Sequence, residues 1–364
     1  MYSKTIGESL KNGSKVEDLF WEFDRGDYKL VGGMRSEAEE IKAIGEKAYK
    51  RAVTLLASRV GPRGLAFDIK DERAKDQIAK EEAWRDARLR KCESLAKQFK
   101  LKPETHVDIK DELGIPENSD IRLQRRVADE FSKRKLEDAS KRGKKLTQKD
   151  LEEVLELWGF RQNIGRLNVM PKGQKYVYSD TVGMIRKRAA GYGLTTVTER
   201  YPNFVKVLTR WVKDNVPAPL QSKDFVCTAI NLNANYAGRR HRDGNNEGPS
   251  IIRAFGKFKG GRLRYWKKDV TPKGKAKPEV DTLKTKDAET HDISKNTLVF
   301  DGNRAHEVED FTGTRYSVVF FSASGYNKVK PKDQKTLLKL GFPYPTTQTM
   351  AALKKKTGSV PVIR

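Results

Sequence analysis

A change of character after Phe160 most restricts what this chain can fold into. From there on, short segments rich in Val, Ile, Tyr, Phe and Thr recur, a composition typical of β-strands. Strands are predicted at 177–182, 224–237, 261–266, 296–300 and 315–322. One helix is predicted between the first two, at 203–216, with one face formed by Phe204, Val207, Leu208 and Trp211. Many strands around one helical support predict an α+β protein with an antiparallel barrel or sandwich.

The sequence before this point is strongly charged and predicts an α-helical accessory region over residues 1–158. Long helices are predicted at 36–60, 71–100 and 120–140, with a loop at 101–118. A short helix follows Thr147, because Asp150 stands three residues on as a capping-box partner. Its buried face is predicted to consist of Leu151, Val154, Leu155 and Trp158. The β-rich domain is then expected at 159–330, with a basic C-terminal extension at 331–364.

The charge of the chain restricts its partners. Lys and Arg number 74 against 49 Asp and Glu, a net charge of +25 at pH 7. Residues 1–150 hold 35 basic against 29 acidic residues (net +6), so residues 151–364 hold 39 against 20 (net +19). An excess concentrated in one half favours a polyanionic partner, with nucleic acid ahead of anionic lipid. Many basic proteins, however, owe their charge to solubility or localisation.

Composition also indicates the compartment. No apolar run of about 18 residues occurs, which argues against an ordinary membrane span, and the first 15 residues have no apolar core typical of a secretory signal. Two cysteines, Cys92 and Cys227, cannot form a disulfide framework and are expected to be free thiols. We therefore expect a soluble, intracellular protein, and a nuclear or viral context fits a basic protein with a nucleic-acid partner.

The segment 231–250 carries the strongest chemical motif. His241 and Asp243 lie two residues apart after an alternating apolar run, and residues at that spacing project to one side of an extended chain. The chain has four histidines, so a third ligand is easily sought. His106 is read as a surface residue of the charged half, and His291 begins a strand-like segment. His306 follows a strand that ends in a glycine turn, so it too projects from a strand end.

Two histidines and one carboxylate can form a facial triad that leaves coordination positions open, an arrangement that favours Fe(II). A catalytic zinc site is the alternative, but it would also need a placed general base. The alternative is that His241-Arg-Asp243 is only a polar surface turn, because a histidine and an aspartate two residues apart often occur by chance.

Arg315 strengthens the motif. It lies nine residues after His306 and opens an apolar strand in which Ser317 points the same way. A buried guanidinium needs a carboxylate partner. Arg315 and Ser317 can clamp the far carboxylate of a 2-oxo diacid whose other end chelates a metal, or Arg315 can form a salt bridge within the protein.

The order of these motifs resembles that of the Fe(II)/2-oxoglutarate-dependent dioxygenases, over residues 176–326. The resemblance implies a double-stranded β-helix, a jelly-roll barrel, with O2 and 2-oxoglutarate as cosubstrates. It implies that Fe(II) is bound by His241, Asp243 and His306. It also implies that 2-oxoglutarate is held by Arg315 and Ser317, in a pocket lined by Asn231, Asn233 and Tyr236.

Within that superfamily, the sequence from His241 to Asn246 and the run GNRAHEV…GTRYSVVFF look like the TET/JBP group, whose members oxidise the methyl group of 5-methylcytosine or thymine in DNA. In that group's motif Asn246 would touch the target base, which an amide can do chemically; it can equally order a turn with Asn245. The chain departs from vertebrate TET proteins because no cysteine-rich zinc-binding region precedes the barrel.

Two other functions stay open. The nine-residue spacing from His306 to Arg315 also resembles the prolyl hydroxylase branch, so a protein hydroxylase for prolyl or lysyl side chains is one alternative, and a non-catalytic nucleic-acid-binding protein is another. Residues 257–287 hold 11 Lys and Arg against 4 Asp and Glu and are predicted to contain a long, mobile, basic excursion after Trp266. DNA phosphates would contact it while Tyr265 and Trp266 stack on bases, since a methyl group in duplex DNA is reachable only after base flipping.

Overall fold

The computed structural model describes residues 72–102, 118–172, 174–187, 191–218, 220–270, 278–357 and 362–363. The helix predicted at 36–60 and most of the loop predicted at 101–118 lie outside these residues. Residues 72–86 belong to one compact unit of the chain, and the described residues from Ala87 onward belong to a second. The second unit contains every described strand.

The described helices, numbered in chain order, are α1 Glu72–Gln98, α2 Ser119–Lys141, α3 Gln148–Leu157, α4 Thr196–Arg200, α5 Pro202–Asp214, α6 Pro331–Lys339 and α7 Thr347–Thr357. The described strands are β1 Gln162–Asn163, β2 Val177–Lys187, β3 Gly191–Leu194, β4 Ala229–Ala234, β5 Ser250–Phe255, β6 Phe258–Gly260, β7 Leu263–Tyr265, β8 Glu289–His291, β9 Leu298–Phe300, β10 His306–Val308, β11 Phe311–Gly313, β12 Tyr316–Phe321 and β13 Val362–Ile363. Among the described residues, no helix is both long enough and apolar enough to span a bilayer.

The protein is a mixed α/β structure with antiparallel sheets. The large sheet has the order β1-β2-β4-β12-β5-β9-β13, and β3 pairs with β2 beside that path. A smaller sheet has the order β10-β7-β8, and β11 pairs with β6 as a separate ribbon. One buried apolar cluster joins the large sheet to the small one, with members Ile252, Ala254, Leu263, Tyr265, Ile293, Leu298 and Phe300. The metal-ligand candidates lie beside this core.

Helices α2, α3 and α5 support the large sheet. The predicted capping box at the start of α3 is confirmed, since Thr147 N donates to Asp150 Oδ2 at 2.9 Å and Asp150 N donates to Thr147 Oγ1 at 3.2 Å. The predicted apolar faces of α3 and α5 are buried, and Trp158 stacks on Phe204 with ring centroids 3.7 Å apart.

A buried ion pair ties α2 to β2. Arg125 Nη2 donates to both carboxylate oxygens of Asp180 at 2.9 Å, and Arg125 Nε donates to Gly159 O at 2.8 Å. The indole N–H of Trp158 also donates to Asp180, at 3.0 Å. Both charged side chains are almost fully buried, so each satisfies the other's charge away from water.

Several strands differ from prediction: β4 is shorter than expected, and β1, β3, β5, β6, β8, β10, β11 and β13 lie outside the predicted strand ranges. The segment 224–237 is a strand only over Ala229–Ala234, because Asn235 adopts a positive φ of 54° and turns the chain. Strand β5 was not predicted at all. Every residue of β5 is buried, so it lacks the alternation of a half-exposed strand, and Arg253 interrupts its apolar run.

The C-terminal residues, expected as a basic extension, pack within the same compact unit. Leu337, Phe342, Met350 and Leu353 are buried, and β13 pairs with β9. Helices α2 and α3, which the sequence assigned to an accessory region, belong to this unit as well.

Candidate metal centre and its pocket

The segments that carry the two predicted histidine ligands are hydrogen-bonded to each other. His241 N donates to His306 O and His306 N donates to His241 O, each at 3.0 Å, and Asp243 N donates to Gly302 O at 2.7 Å. This bridge places two imidazoles side by side, with ring centroids 4.2 Å apart, although the residues are distant in sequence. The backbone therefore fixes the spacing of the ligand segments.

Hydrogen bonds also fix which ring nitrogen faces the site. His241 Nδ1 lies 2.7 Å from Arg239 O, and His306 Nδ1 lies 2.8 Å from Arg304 O. Because a carbonyl oxygen only accepts, each Nδ1 must carry the proton, which leaves each Nε2 with a free lone pair. The same second contact orients histidine ligands in metalloproteins generally.

The two Nε2 atoms and Asp243 converge on one point. His241 Nε2 lies 3.7 Å from Asp243 Oδ1, and His306 Nε2 lies 3.8 Å from Asp243 Oδ2. The three ligand atoms lie within 4.8 Å of one another, a spacing that a single metal ion can bridge. In the described part of the chain, no other three His, Cys, Asp or Glu side chains meet in this way.

The environment keeps His241 in the form that binds a metal. Burial, followed by the neighbouring His306, lowers the pKa of His241 from 6.5 to about 3. The imidazole is therefore neutral at neutral pH, and no proton has to leave Nε2 before a metal binds.

Arg315 lies just before β12 and is 2% exposed. Its Nε and Nη2 atoms are buried and have no hydrogen-bond partner, and no carboxylate among the described residues pairs with it. The rings of Phe258 and Phe311 lie 5.4 and 5.5 Å from the guanidinium carbon. Burial lowers the pKa of Arg315 to about 10, since the charge has lost water without gaining an anion. The internal salt bridge considered from the sequence is absent from the described residues.

The triad and Arg315 line one pocket of about 290 Å3. The predicted residues Ser317, Asn231, Asn233 and Tyr236 line it too. Tyr236 Oη donates to Asn233 Oδ1 at 2.5 Å, and Asn233 Nδ2 donates to Ser317 Oγ at 3.4 Å. Burial raises the pKa of Tyr236, so its hydroxyl keeps the proton that it donates. These bonds fix the wall beside Arg315.

The side chain of Asn231 is hydrogen-bonded to the neighbouring strand. Its Nδ2 lies 3.0 Å from Asp180 O and 3.2 Å from both Ser179 Oγ and Thr181 Oγ1, all on β2. The residue lines the pocket, but its amide N–H groups hold β4 against β2.

Asn246 contacts the carboxylate of the triad. Its Nδ2 donates to Asp243 Oδ2 at 3.3 Å, and its backbone oxygen accepts from Asn303 Nδ2 at 3.1 Å. A Cβ at Gly302 would lie 2.8 Å from Asn246 Nδ2, so only glycine leaves room for this contact. These bonds favour the reading in which Asn246 orders the turn and orients Asp243. Asn245 is exposed at the pocket edge, and contact of either residue with a base stays a prediction.

The predicted stacking role of Tyr265 and Trp266 is wrong, because neither ring is accessible. Tyr265 is 0% exposed and packs edge-on against Phe300, while Trp266 is 2% exposed. The indole N–H of Trp266 donates to Lys284 O at 2.9 Å, and the guanidinium carbon of Arg240 lies 4.2 Å from its ring. Side chains predicted to face a ligand are therefore covered by protein.

The basic excursion is anchored over its described residues. Residues 278–287 form two short 3-10 turns, Val280–Thr282 and Thr285–Asp287, and Arg240 donates to the carbonyls of Val280 and Leu283. Residues 271–277 lie outside the described residues. Residues 278–287 are therefore hydrogen-bonded to Arg240, and the mobility of the excursion stays a prediction.

The other two histidines do not join the triad. His291 is buried, with its Nε2 atom 3.7 Å from Glu289, and it is not part of the metal-ligand group. His106 lies outside the described residues.

Two residues of the site were not predicted from the sequence. Asp269 accepts from Arg242 Nε and Nη2 at 2.6 and 2.7 Å and from Ala305 N at 2.6 Å, so it links the residue between His241 and Asp243 to the residue before His306. Arg166 reaches the pocket from the loop before β2. Both roles arise from tertiary contacts. Only the arginine between His241 and Asp243 hinted that a carboxylate partner was needed.

Comparison with known proteins gives a distant result. No protein-family model and no curated protein matches the sequence. One solved structure with a similar arrangement is NgTET1 in complex with 5mC DNA, which is 13% identical, with 44% of this chain and 68% of that chain covered at a TM-score of 0.29. A likeness of this size identifies no family for this chain.

Proposed function

We propose that this chain is an Fe(II)/2-oxoglutarate-dependent dioxygenase. Its reaction would oxidise a C–H bond of a methyl group on a nucleic-acid base such as 5-methylcytosine or thymine. The observation that carries the proposal is the joint presence of two features in one pocket. A His-Asp-His triad with free Nε2 lone pairs lines the pocket, together with a buried guanidinium that has no anion among the described residues.

The strand order supports a double-stranded β-helix. Along the chain, β4 lies in the large sheet. His241 then pairs with His306 of β10 in the small sheet, and β5 lies in the large sheet again. The strands β7 and β8 then lie in the small sheet, β9 in the large, β10 in the small and β12 in the large. This repeated alternation between two sheets supports the proposal of a jelly roll.

The donor set fits iron better than zinc. Two imidazoles and one carboxylate, with positions left for other ligands, suit Fe(II). A hydrolytic zinc site needs a general base beside the metal. Asp243 is the only carboxylate among the described residues that line the pocket, and it belongs to the triad itself.

Arg315 fits one end of 2-oxoglutarate. A buried guanidinium binds a carboxylate through charge-assisted hydrogen bonds, and Ser317 can add a hydroxyl from the same strand. The distal carboxylate would face Arg315 and the 2-oxo acid end would face the metal. Tyr236 and Asn233 hold the hydroxyl of Ser317 in place through their hydrogen bonds.

With iron bound, 2-oxoglutarate and O2 supply the oxidation: one oxygen atom enters the substrate C–H bond, the other enters succinate, and CO2 leaves. The chain itself binds, orients and excludes water. His241, Asp243 and His306 would hold the metal, while Arg315 and Ser317 would orient the cosubstrate. Water is excluded on one side by the apolar residues Ile252, Leu263, Phe300 and Val308.

The charge of the chain supports a nucleic-acid substrate. Residues 151–364 carry 39 basic against 20 acidic residues, and they include every residue that lines the pocket. Phosphate contacts would give binding that weakens steeply with salt. They would also supply part of the free energy needed to extrude a base from the duplex.

A succinate-release assay tests the proposal. The full chain is incubated with Fe(II), 2-oxoglutarate and, in parallel, methylated duplex DNA, methylated RNA and proline- or lysine-containing peptides. We expect succinate to rise with a methylated nucleic acid and to stay at background in the Asp243→Ala protein. Turnover with a peptide alone would establish the protein hydroxylase instead, and DNA binding without any succinate would establish the non-catalytic alternative.

A further inference from the structure

We propose that residues 165–170, termed the mouth loop, engage the nucleic acid when a base enters the pocket. In this proposal Leu167 fills the gap that the extruded base leaves in the stack, and Arg166 binds a phosphate of the extruded nucleotide. The inference rests on the proposed function, because it assigns the elements that would recognise that substrate.

Leu167 is unusual among the apolar side chains. It is 69% exposed, and the only other large apolar side chains exposed among the described residues are Val270 and Leu338, at 53% each. A single exposed leucine is ordinary in itself. Here, however, both sequence neighbours, Arg166 and Asn168, line the pocket that contains the metal triad. Leu167 is therefore a solvent-exposed apolar residue between two residues that line the pocket.

The mouth loop is held in one conformation. Val169 N and Met170 N both donate to Arg166 O at 3.1 Å, and Arg239 N donates to Val169 O at 3.0 Å. Val169 and Met170 are buried in one cluster with Val177 and Tyr236. The exposed leucine thus stands on a docked support beside the segment of His241. An apolar side chain on a backbone anchored in this way can insert between base pairs with little further loss of backbone entropy.

Arg166 is a second cation without an anion. Its Nε atom is buried and has no hydrogen-bond partner, and no carboxylate among the described residues forms an ion pair with it. Arg166 lines the same pocket as Tyr236 and His241. Arg166 is therefore close to the reacting region.

A charge count shows what Arg166 can bind. A divalent metal, the carboxylate of Asp243 and the guanidinium of Arg315 sum to two positive charges, which the two carboxylates of 2-oxoglutarate would neutralise. The positive charge of Arg166 is then left over. A nucleotide brings a phosphate that matches a guanidinium, whereas a neutral peptide brings no anion. The pocket therefore favours a substrate that carries a negative charge close to its reacting group.

Base extrusion can be measured without turnover. The full chain is mixed with Fe(II) and 2-oxoglutarate under anaerobic conditions, and a duplex oligonucleotide with 2-aminopurine at the target position reports unstacking by its fluorescence. We expect Leu167→Ala to lose most of the fluorescence rise and to weaken duplex binding about tenfold. The matched control is Leu338→Ala, which truncates an equally apolar exposed side chain on α6 and should leave both readings unchanged.

The phosphate contact is measured by salt dependence. We expect Arg166→Gln to reduce the slope of log K against log salt for the duplex by about 1 and to leave the affinity for 2-oxoglutarate unchanged. Lys172→Gln removes a positive charge from an exposed position outside the pocket and serves as the control.

Three outcomes would overturn the inference. An equal 2-aminopurine response of Leu167→Ala and Leu338→Ala would exclude insertion. A loss of 2-oxoglutarate affinity in Arg166→Gln, with an unchanged salt slope, would place Arg166 in the cosubstrate site. Tighter binding of an acidic peptide than of the duplex, dependent on Arg166, would make the partner a protein. Failure of the proposed function looks different, since succinate would be missing while the fluorescence response persisted.

Discussion

One arginine is buried in the helical support and another in the pocket of the candidate metal centre. The first has a carboxylate partner, and the second has none among the described residues. Arg125 is 3% exposed and bonds both oxygens of Asp180, while Arg315 is 2% exposed and has no carboxylate among the described residues. Where the guanidinium joins helix to sheet, the chain supplies its own anion. Where the guanidinium faces a pocket, no anion is supplied by the described residues, and we propose that a ligand supplies it. The contrast is between an ion pair within the fold and a buried charge proposed to bind a ligand.

Of the substitutions that test this contrast, removal of the Asp180 carboxylate should have the largest effect, a loss of stability. Asp180→Ala leaves Arg125 buried without its anion, and breaking one half of a buried pair costs about 3–5 kcal/mol of the free energy of unfolding. Urea denaturation followed by circular dichroism measures the change. If Asp180→Ala cost no more than an exposed substitution, the pair would not be what maintains this junction.

Arg315→Met should weaken 2-oxoglutarate binding without destabilising the fold. Because Arg315 gains no internal anion, its replacement by an apolar side chain should not lower the free energy of unfolding. The binding free energy of 2-oxoglutarate should weaken by about 1.5–3 kcal/mol, the range for hydrogen bonds to a charged group. Calorimetric titration of the metal-loaded protein measures the loss. Arg186→Met, which changes an exposed arginine on β2, should leave the affinity unchanged.

Asp269→Asn tests whether a carboxylate outside the triad positions the metal ligands. The substitution keeps the shape of the side chain but weakens its bonds to Arg242 and Ala305 N, so metal affinity should fall about tenfold. Absorbance titration with Co(II) measures this, at a temperature where thermal melting shows that both proteins are folded. Asp214→Asn, which removes the carboxylate paired with Arg210 on α5, should bind Co(II) like the unaltered chain.

Gly261→Ala should give the smallest effect and sharpen the role of Arg315. Gly261 has φ of +66°, and a Cβ there would lie 2.9 Å from Arg315 Nε. We expect 2-oxoglutarate to bind several-fold more weakly, with Co(II) affinity unchanged, since the guanidinium must shift. Gly143→Ala is the control. Gly143 has a similar φ of +60°, and an added Cβ would have no atom within 4 Å, so this variant introduces only the backbone strain of about 1–2 kcal/mol. Equal cosubstrate affinities in the two variants would contradict the contact.

Local patterns predicted much of this structure. The capping box at Thr147 and the buried face of α5 depend on neighbours a few residues away, so sequence spacing was sufficient to predict them. The triad was predictable for a different reason: with four histidines in the chain, only His306 followed a strand that ends in a glycine turn. The structure brings its ligand atom to within 4.8 Å of those of His241 and Asp243.

Other features depend on contacts that no local pattern encodes. Strand β5 is buried throughout, so its sequence lacks the alternation that reveals a strand. Trp266 looked available for stacking, but a segment some twenty residues further on covers it through Lys284 O. Arg166 and Asp269 reach the site from loops whose positions only the assembled sheets determine. Residues of this kind were missed, and they are the ones now proposed to recognise or position ligands.

The reciprocal backbone bonds between His241 and His306 have a consequence for how the protein would bind and release a metal ion. The spacing of the two imidazoles is set by main-chain hydrogen bonds, and their orientation by carbonyls at Arg239 and Arg304, none of which involves an ion. Zinc fingers need their ion in order to fold, whereas here the ligands are assembled beforehand. Chelation should therefore be reversible: the apoprotein keeps its architecture, and the site can be reloaded or exchanged with another divalent ion without refolding.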